Sequence, residues 1–131
     1  MLKEFYPMEG DWNFLLVLDA CRYDYFKKLY QDYFEGNLKK IQSPGSETSE
    51  WARRSFTEEY KDVVYVSGNP RINSQVKTRG FNASKHFYKV IDVWNFGWDE
   101  ELGTVKPQTI NKAAKKAHKE YPEKDMIIQY M

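Results

Sequence analysis

The chain has 131 residues, of which 41% are hydrophobic and 30% charged, a composition typical of one soluble globular domain. Its formal net charge of +1 is too low for the electrostatic grip that nucleic acid requires. No apolar stretch reaches the roughly 18 residues needed to span a bilayer, and a signal-peptide pattern is absent. The single cysteine, Cys21, excludes an intramolecular disulfide framework and a cysteine-based zinc cluster. The sequence therefore predicts a cytoplasmic protein with no nucleic-acid or membrane partner.

The first half of the chain alternates between strand and helix patterns. Residues 13–19 contain a continuous apolar run, which predicts a strand buried on both faces of a parallel sheet. Residues 22–34 carry apolar side chains at helical spacing. Residues 38–42 predict a short second strand, and a helix follows from 49 to about 60. The β-branched and aromatic run 63–66 predicts the next strand.

The second half continues this alternation. Residues 71–79 fit either a short helix or a loop, and residues 88–94 predict a fourth strand. Pro107 is well placed as the first residue of a helix over 107–121, and residues 126–131 predict a last strand without charge. Strands alternating with helices predict an α/β fold, in the form of a three-layer α/β/α domain with a mostly parallel sheet of about five strands.

Asp19 ends the first predicted strand and is the first candidate functional residue. Ligands of open α/β sheets bind beyond the carboxyl ends of the strands. A carboxylate at this place is therefore either a ligand for a metal or a hydroxyl, or the N-cap of the next helix. Arg22 and Asp24 leave two more charges at the same corner. Because capping requires fewer charges than this, the functional interpretation is favoured.

Thr48 opens the helix that follows the second predicted strand, with Ser46 and Ser49 beside it. These hydroxyls could cap the helix. One of them could instead be a nucleophile, because the positive potential of a helix N-terminus stabilises an alkoxide and a bound phosphate or sulfate. Thr48 is the preferred candidate nucleophile, and Asn69 follows the next strand. We expect Asp19, Thr48 and Asn69 to meet at one sheet edge, with the first two side chains about 4–6 Å apart across a metal ion.

Four stretches of the chain also support a family resemblance. Segment 16–24, with the sequence LVLDACRYD, resembles the opening motif of the alkaline phosphatase superfamily in its sulfatase-like branch. Segments 45–51 and 64–73 are similar to uncharacterised archaeal members of that branch. So is segment 90–94 together with 97–105.

The resemblance implies a metal-dependent hydrolase or transferase that acts on phosphate or sulfate esters. Asp19 matches the first metal-ligand aspartate, and Thr48 matches the metal-bound nucleophile. Asn69 is similar in placement to the side chain that donates to the transferring group. The metal would be a divalent ion such as zinc, calcium or manganese. Three residues are supporting candidates, with the first in an orienting role: Arg22, Asp24 and Ser49.

The chain also departs from the family's pattern. It lacks the signature that is converted to formylglycine in true sulfatases, and Cys21 lies in the wrong motif for that role. Relatives supply further Asp and His ligands from beyond the point that corresponds to Met131. We therefore expect the N-terminal half of such a domain, a partial site that is not catalytically complete alone. His86 and His118 do not repair the ligand set and are expected to be structural.

An alternative is a non-catalytic α/β module for binding or assembly that forms a homodimer. This alternative is supported if the uncharged strand 126–131 lies at a sheet edge, because its unpaired backbone groups and apolar side chains could then bind a second copy of the chain. The same strand could instead lie inside the sheet, covered by the helix over 107–121. A nucleotide-binding α/β domain is a distant third option, since the chain has no glycine-rich phosphate loop.

Overall fold

The computed structural model describes residues 2–19 and 21–131, so that Ala20 of the segment 16–24 lies outside it. In this described part, the main sheet has four parallel strands, β1 Phe14–Leu18, β2 Tyr60–Ser67, β3 Phe87–Asp92 and β6 Asp125–Tyr130. Their order across the sheet is β1, β6, β2, β3. A small antiparallel pair is formed by β4 Trp98–Asp99 and β5 Thr104–Val105.

The described residues also form four α-helices and three short 3-10 helices. The α-helices are α1 Tyr23–Leu29, α2 Thr48–Ser55, α3 Val93–Phe96 and α4 Pro107–Glu120. The 3-10 helices are Pro7–Glu9, Tyr30–Asp32 and Ala83–Lys85. No helix in the described part of the chain is long and apolar enough to cross a bilayer. The predicted α/β class with a mostly parallel sheet is confirmed.

Successive residues of a strand point to opposite faces of the sheet, and each face has its own hydrophobic cluster. On one face, Tyr65 and Ile127 of the central strands pack with Ala52 and Phe56 at the end of α2. On the opposite face, a second set packs with α4: Val64, Val66, Met126, Ile128, Ile110, Ala114 and Ala117. The two central strands, β2 and β6, thus supply the core of both clusters.

Helix α4 begins at Pro107, as the sequence predicts, because proline fixes a helical φ and lacks an N–H that the first turn could not use. Helix α2 is shorter than predicted and ends at Ser55, so that Tyr60 begins β2. The helix predicted over 22–34 stops at Leu29, where a 3-10 turn follows.

Two strand predictions need correction. Residues 38–42 form no strand in the described structure, and their one pairing is an isolated bridge from Gln42 to Glu4. Two lysines interrupt this segment, which leaves too few apolar side chains to bury a face. The strand predicted over 88–94 ends at Asp92, because the chain continues as α3 from Val93. The Gly97 N–H donates to the Val93 carbonyl at 2.7 Å and ends this helix.

Strands β1 and β6 differ from expectation in their positions within the sheet. The edge position considered for residues 126–131 is wrong, because β6 pairs with β1 on one side and β2 on the other. The full burial predicted for residues 13–19 is also wrong. Strand β1 is an end strand of the sheet, and one of its faces is exposed through Phe14, Leu16 and Leu18.

Candidate active site at the carboxyl end of the sheet

The carboxyl ends of β1, β6 and β2 lie side by side because these strands are parallel neighbours. Asp19 follows β1 directly, and its N–H donates to the Tyr130 carbonyl at 3.2 Å, which continues the β1–β6 pairing. Gln129 of β6 is in register with Ser67, the last residue of β2. Asn69 comes two residues later. The strands therefore bring three polar side chains to one edge.

Asp19 is the centre of a hydrogen-bonded cluster. Its Oδ2 accepts from Thr48 Oγ1 at 2.8 Å, from Asn69 Nδ2 at 2.8 Å and from Gln129 Nε2 at 3.1 Å. Asn69 Nδ2 also lies 3.5 Å from Thr48 Oγ1. We call these four residues the Asp19 cluster. Asp19, Thr48 and Asn69 do meet at one edge, but Asp19 and Thr48 are in direct contact instead of the expected 4–6 Å apart.

The two amide side chains of the cluster are oriented by contacts at their carbonyl ends. Asn69 Oδ1 accepts from the Arg71 N–H at 3.0 Å. Gln129 Oε1 accepts from the hydroxyl of Tyr65, which is fully buried. Since an amide offers an acceptor at one end and donors at the other, both contacts leave the NH₂ groups to face Asp19.

Gly68 allows β2, β6 and α4 to approach one another at this edge. A Cβ on residue 68 would come within 2.7 Å of Ile110 Cδ1 and 2.8 Å of the Gln129 carbonyl oxygen. The Gly68 N–H donates to that same carbonyl at 2.9 Å. The close packing that places Gln129 beside Asp19 therefore requires glycine here.

Glu47, not a hydroxyl residue, caps the N-terminus of α2. Its Oε1 accepts from the Glu50 N–H at 2.9 Å, and Glu50 Oε1 accepts from the Ser46 N–H at 2.9 Å. This reciprocal pair leaves the Thr48 hydroxyl available for Asp19. The Ser49 side chain is fully buried, and its Oγ has no partner among the described residues.

The capping alternative for Asp19 is likewise not what the structure shows. The N-cap of α1 is Arg22, whose side chain makes no capping hydrogen bond. Arg22 instead forms an ion pair with Asp24 at 2.9 Å, on the exposed side of the turn. Neither residue is among the described residues that line the cleft beside Asp19.

The Asp19 cluster opens into a cleft of about 420 Å³. A positively charged side of this cleft is formed by Arg71, whose Nη1 lies 2.8 Å from Glu47 Oε2. Arg79 Nη1 approaches the same carboxylate oxygen at 3.6 Å. The cleft is lined by Asp19, Thr48 and Gln129 together with Val17, Leu18, Cys21, Ser43, Gly45, Ser46, Glu47, Trp51 and Arg71.

Sequence reasoning missed Gln129, Arg71 and Glu47. Gln129 had a detectable signal, because it is the one polar residue between apolar neighbours in the run 126–130 and lies near the end of a buried strand. Arg71 opens the segment 71–79, whose pattern left its structure undecided. Glu47 was overlooked because the neighbouring hydroxyl residues are the commoner helix caps.

The described residues do not by themselves fit a divalent metal. Within 2–19 and 21–131, no group of three or more His, Cys, Asp or Glu side chains is placed to hold one. Moreover, Asp19 Oδ2 is approached by a hydroxyl and by the NH₂ groups of Asn69 and Gln129. These hydrogens are directed at the oxygen where a cation would bind, so the arrangement suits a hydrogen-bonded carboxylate.

Comparison with known proteins identifies no relative of this chain. No protein-family model, curated protein or solved structure matches the chain. The function is therefore argued from the residues and geometry of the cleft.

Proposed function

We propose that the chain is a partial domain related to the sulfatases and alkaline phosphatases, and that it contributes the nucleophile side of a site for phosphate or sulfate esters. The observation that carries this proposal is the 2.8 Å hydrogen bond from Thr48 Oγ1 to Asp19 Oδ2 at the start of α2. A hydroxyl that donates to an adjacent base is the arrangement that activates such nucleophiles. The four-segment resemblance supports the same assignment.

In the proposed reaction, Thr48 Oγ1 attacks the phosphorus or sulfur atom of the ester and passes its proton to Asp19. The new bond joins Oγ1 to that atom, the bond to the ester oxygen breaks, and the leaving alkoxide takes up the proton from Asp19, which returns to its carboxylate form. Water then hydrolyses the threonine ester and restores the hydroxyl. Asn69 Nδ2, 3.5 Å from Oγ1, donates to an oxygen of the transferring group.

The surroundings of Thr48 support an anionic ligand. Thr48 is the first residue of α2, where free backbone N–H groups and the helix dipole favour negative charge. Arg71 lines the cleft and pairs with Glu47, and Arg79, which is not among the lining residues, approaches the same carboxylate, so this group has two guanidinium groups for one acid. Arginine is well suited to bind phosphate or sulfate oxygens.

The site of this chain alone is incomplete for catalysis in this proposal. The resemblance implies a divalent ion such as zinc, calcium or manganese, and this ion would require ligands beyond the Asp19 cluster, whose donors do not fit it. The three-layer α/β/α arrangement with a sheet of about five strands, which the alternation of strand and helix patterns predicts, is also part of this proposal. The single Cys21 supports a reducing, cytoplasmic compartment for the protein.

Turnover assays test the proposal with aryl phosphate and aryl sulfate esters, with and without added divalent ions. We expect no appreciable turnover by the purified chain, because the ligand set is incomplete and Thr48 is only partly activated. Robust turnover that is lost in Thr48→Ala, but retained in the control Thr57→Ala outside the cleft, would show that the site is complete. Robust turnover that survives Thr48→Ala would remove Thr48 from the mechanism.

A second candidate function is the non-catalytic assembly module. The observation that favours it is the exposed apolar face of β1, where Phe14, Leu16 and Leu18 alternate along an uncharged end strand. Such an edge offers backbone groups and apolar side chains to a second copy of the chain. Leu18 lies both on this face and in the lining of the Asp19 cleft, so a homodimer formed through β1 would border the cleft.

A further inference from the structure

We propose that Gln129, held by the hydroxyl of Tyr65, is a positioning residue that fixes the Asp19 carboxylate against Thr48. Both residues are fully buried; Gln129 lines the cleft beside Asp19, and Tyr65 supports it from the hydrophobic core. The part of this inference that concerns the reactivity of Thr48 rests on the proposed function. The part that concerns the orientation of Gln129 does not.

The hydroxyl of Tyr65 is a polar group within an otherwise apolar, aromatic cluster. Its ring packs with those of Phe56 and Phe87, at centroid distances of 6.0 and 4.9 Å, and Phe81 belongs to the same cluster. Phenylalanine at position 65 would fill this core without burying a polar group, which is costly unless the group is hydrogen-bonded. The Tyr65 hydroxyl donates to Gln129. Its presence is therefore best explained by what it does to Gln129.

Tyr65 determines which end of the Gln129 amide faces Asp19. Because Oε1 accepts from the Tyr65 hydroxyl, Nε2 is left to donate to Asp19 Oδ2 at 3.1 Å. Burial, and secondarily the Asp19 charge, raise the pKa of Tyr65 well above its ordinary value. The phenol therefore keeps its proton and remains a donor at neutral pH, so that the orientation of the amide is fixed.

This orientation has a consequence for the nucleophile. Gln129 from β6 and Asn69 from the end of β2 both donate to Asp19 Oδ2, which limits rotation of the carboxylate. The Thr48 hydroxyl then directs its hydrogen at the same oxygen. A lone pair of Thr48 Oγ1 is left for an atom in the cleft. Loss of Gln129 would loosen the carboxylate without removing Asp19 or Thr48.

Tyr65→Phe tests this inference, with Tyr130→Phe as the matched control. Tyr130→Phe also removes one hydroxyl at the carboxyl end of β6. In the wild type this hydroxyl donates to Asn111 and not to a residue of the Asp19 cluster. The first readout is proton exchange of the Gln129 side-chain NH₂ group, measured by NMR. We expect exchange about tenfold faster in Tyr65→Phe than in the wild type, from loss of one buried hydrogen bond, and no change in Tyr130→Phe.

The second readout is the affinity of the cleft for inorganic phosphate, measured by NMR titration. We expect about tenfold weaker binding in Tyr65→Phe and in Gln129→Met, which keeps the side-chain length but removes both polar ends. Tyr130→Phe should bind phosphate as the wild type does. Equal weakening by Tyr65→Phe and Tyr130→Phe would contradict a specific positioning role.

The two readouts separate this inference from the proposed function. If the wild type binds no phosphate, the proposed function fails, while the exchange measurement still decides the role of Tyr65. Unchanged Gln129 exchange in Tyr65→Phe would overturn the inference even if phosphate binds as expected.

Discussion

At the scale of single residues, the polar side chains beside Asp19 form hydrogen bonds with its carboxylate. Thr48, Asn69 and Gln129 all donate to one carboxylate oxygen. Buried polar groups are stable only when they are paired, and a network in which each member fixes the next has few alternative conformations. The cleft therefore has a well-ordered base, in which Gln129 of β6 is joined by Asp19 and Asn69 from beyond the ends of β1 and β2 and by Thr48 at the start of α2.

The buried Tyr65 predicts a pH dependence of stability. Its pKa is raised well above the ordinary value, first by burial and then by the charge of Asp19. In the unfolded chain a tyrosine ionises near pH 10, so above that pH only the unfolded state releases this proton. The stabilising contribution is fully present below about pH 10, and it is lost as pH rises toward the folded-state pKa.

Tyr65→Phe isolates this contribution. The free energy of unfolding of the wild type, relative to that of Tyr65→Phe, should fall by up to about 1.4 kcal/mol per pH unit above about pH 10. Urea unfolding of both proteins from about pH 8 to pH 11 measures the difference. A constant difference over this range would show that the Tyr65 hydroxyl ionises alike in the folded and unfolded states.

The part of the site that could be predicted from sequence consists of residues at element boundaries. Asp19 directly follows a strand, Asn69 follows one after a single glycine, and Thr48 opens a helix, so the general position of ligand sites in α/β sheets identifies them. Gln129 lies inside a strand, where the apolar pattern indicates burial but does not reveal which strands are neighbours. Its contact with Asp19 depends on β6 lying beside β1, which the sequence does not encode locally.

At the scale of elements, the positions of β1 and β6 in the sheet were not predictable for the same reason, because the order of strands is not encoded locally in the sequence. A continuous apolar run predicts a buried strand, and both strands have one. The number of covered faces depends on the order of strands in the sheet, which arises from contacts distant in sequence. Helix α4 was predicted more accurately, because its proline start and its apolar stripe are both local features.

The exposed face of β1 predicts self-association. Leu16 is 47% exposed at the middle of this strand, with Phe14 and Leu18 on the same face. We expect the wild type to be a dimer at micromolar concentration and Leu16→Lys to be a monomer, because a charge on an end strand opposes pairing. Light scattering measures both masses.

The control for this experiment is Val76→Lys, an exposed apolar residue outside the sheet. It should leave the dimer intact. A wild-type mass of one chain would reject the assembly candidate, without bearing on the Asp19 cluster.

At the scale of the whole molecule, a lysine-lined groove could attract an anion as well as the cleft. The cleft lies at the carboxyl end of the sheet, with Thr48 and Arg71. The groove, of about 440 Å³, lies between β3 and α4 and is lined by Lys89, Lys112 and Lys116. Since the net charge is only +1, the overall field does not select between them. A specific hydrogen-bonding site should outcompete an exposed row of lysines at physiological salt.

An NMR titration of the wild-type chain with inorganic phosphate is the decisive test of this cleft as an anion site, because it reports on every backbone amide at once. We expect saturable shifts at Thr48 and Ser49, at the start of α2, that are absent in Thr48→Ala. The amides of Lys112 and Lys116 should shift only weakly and without saturation. Saturable shifts confined to α4, or none at the start of α2, would contradict the assignment of this cleft as a phosphate or sulfate ester site.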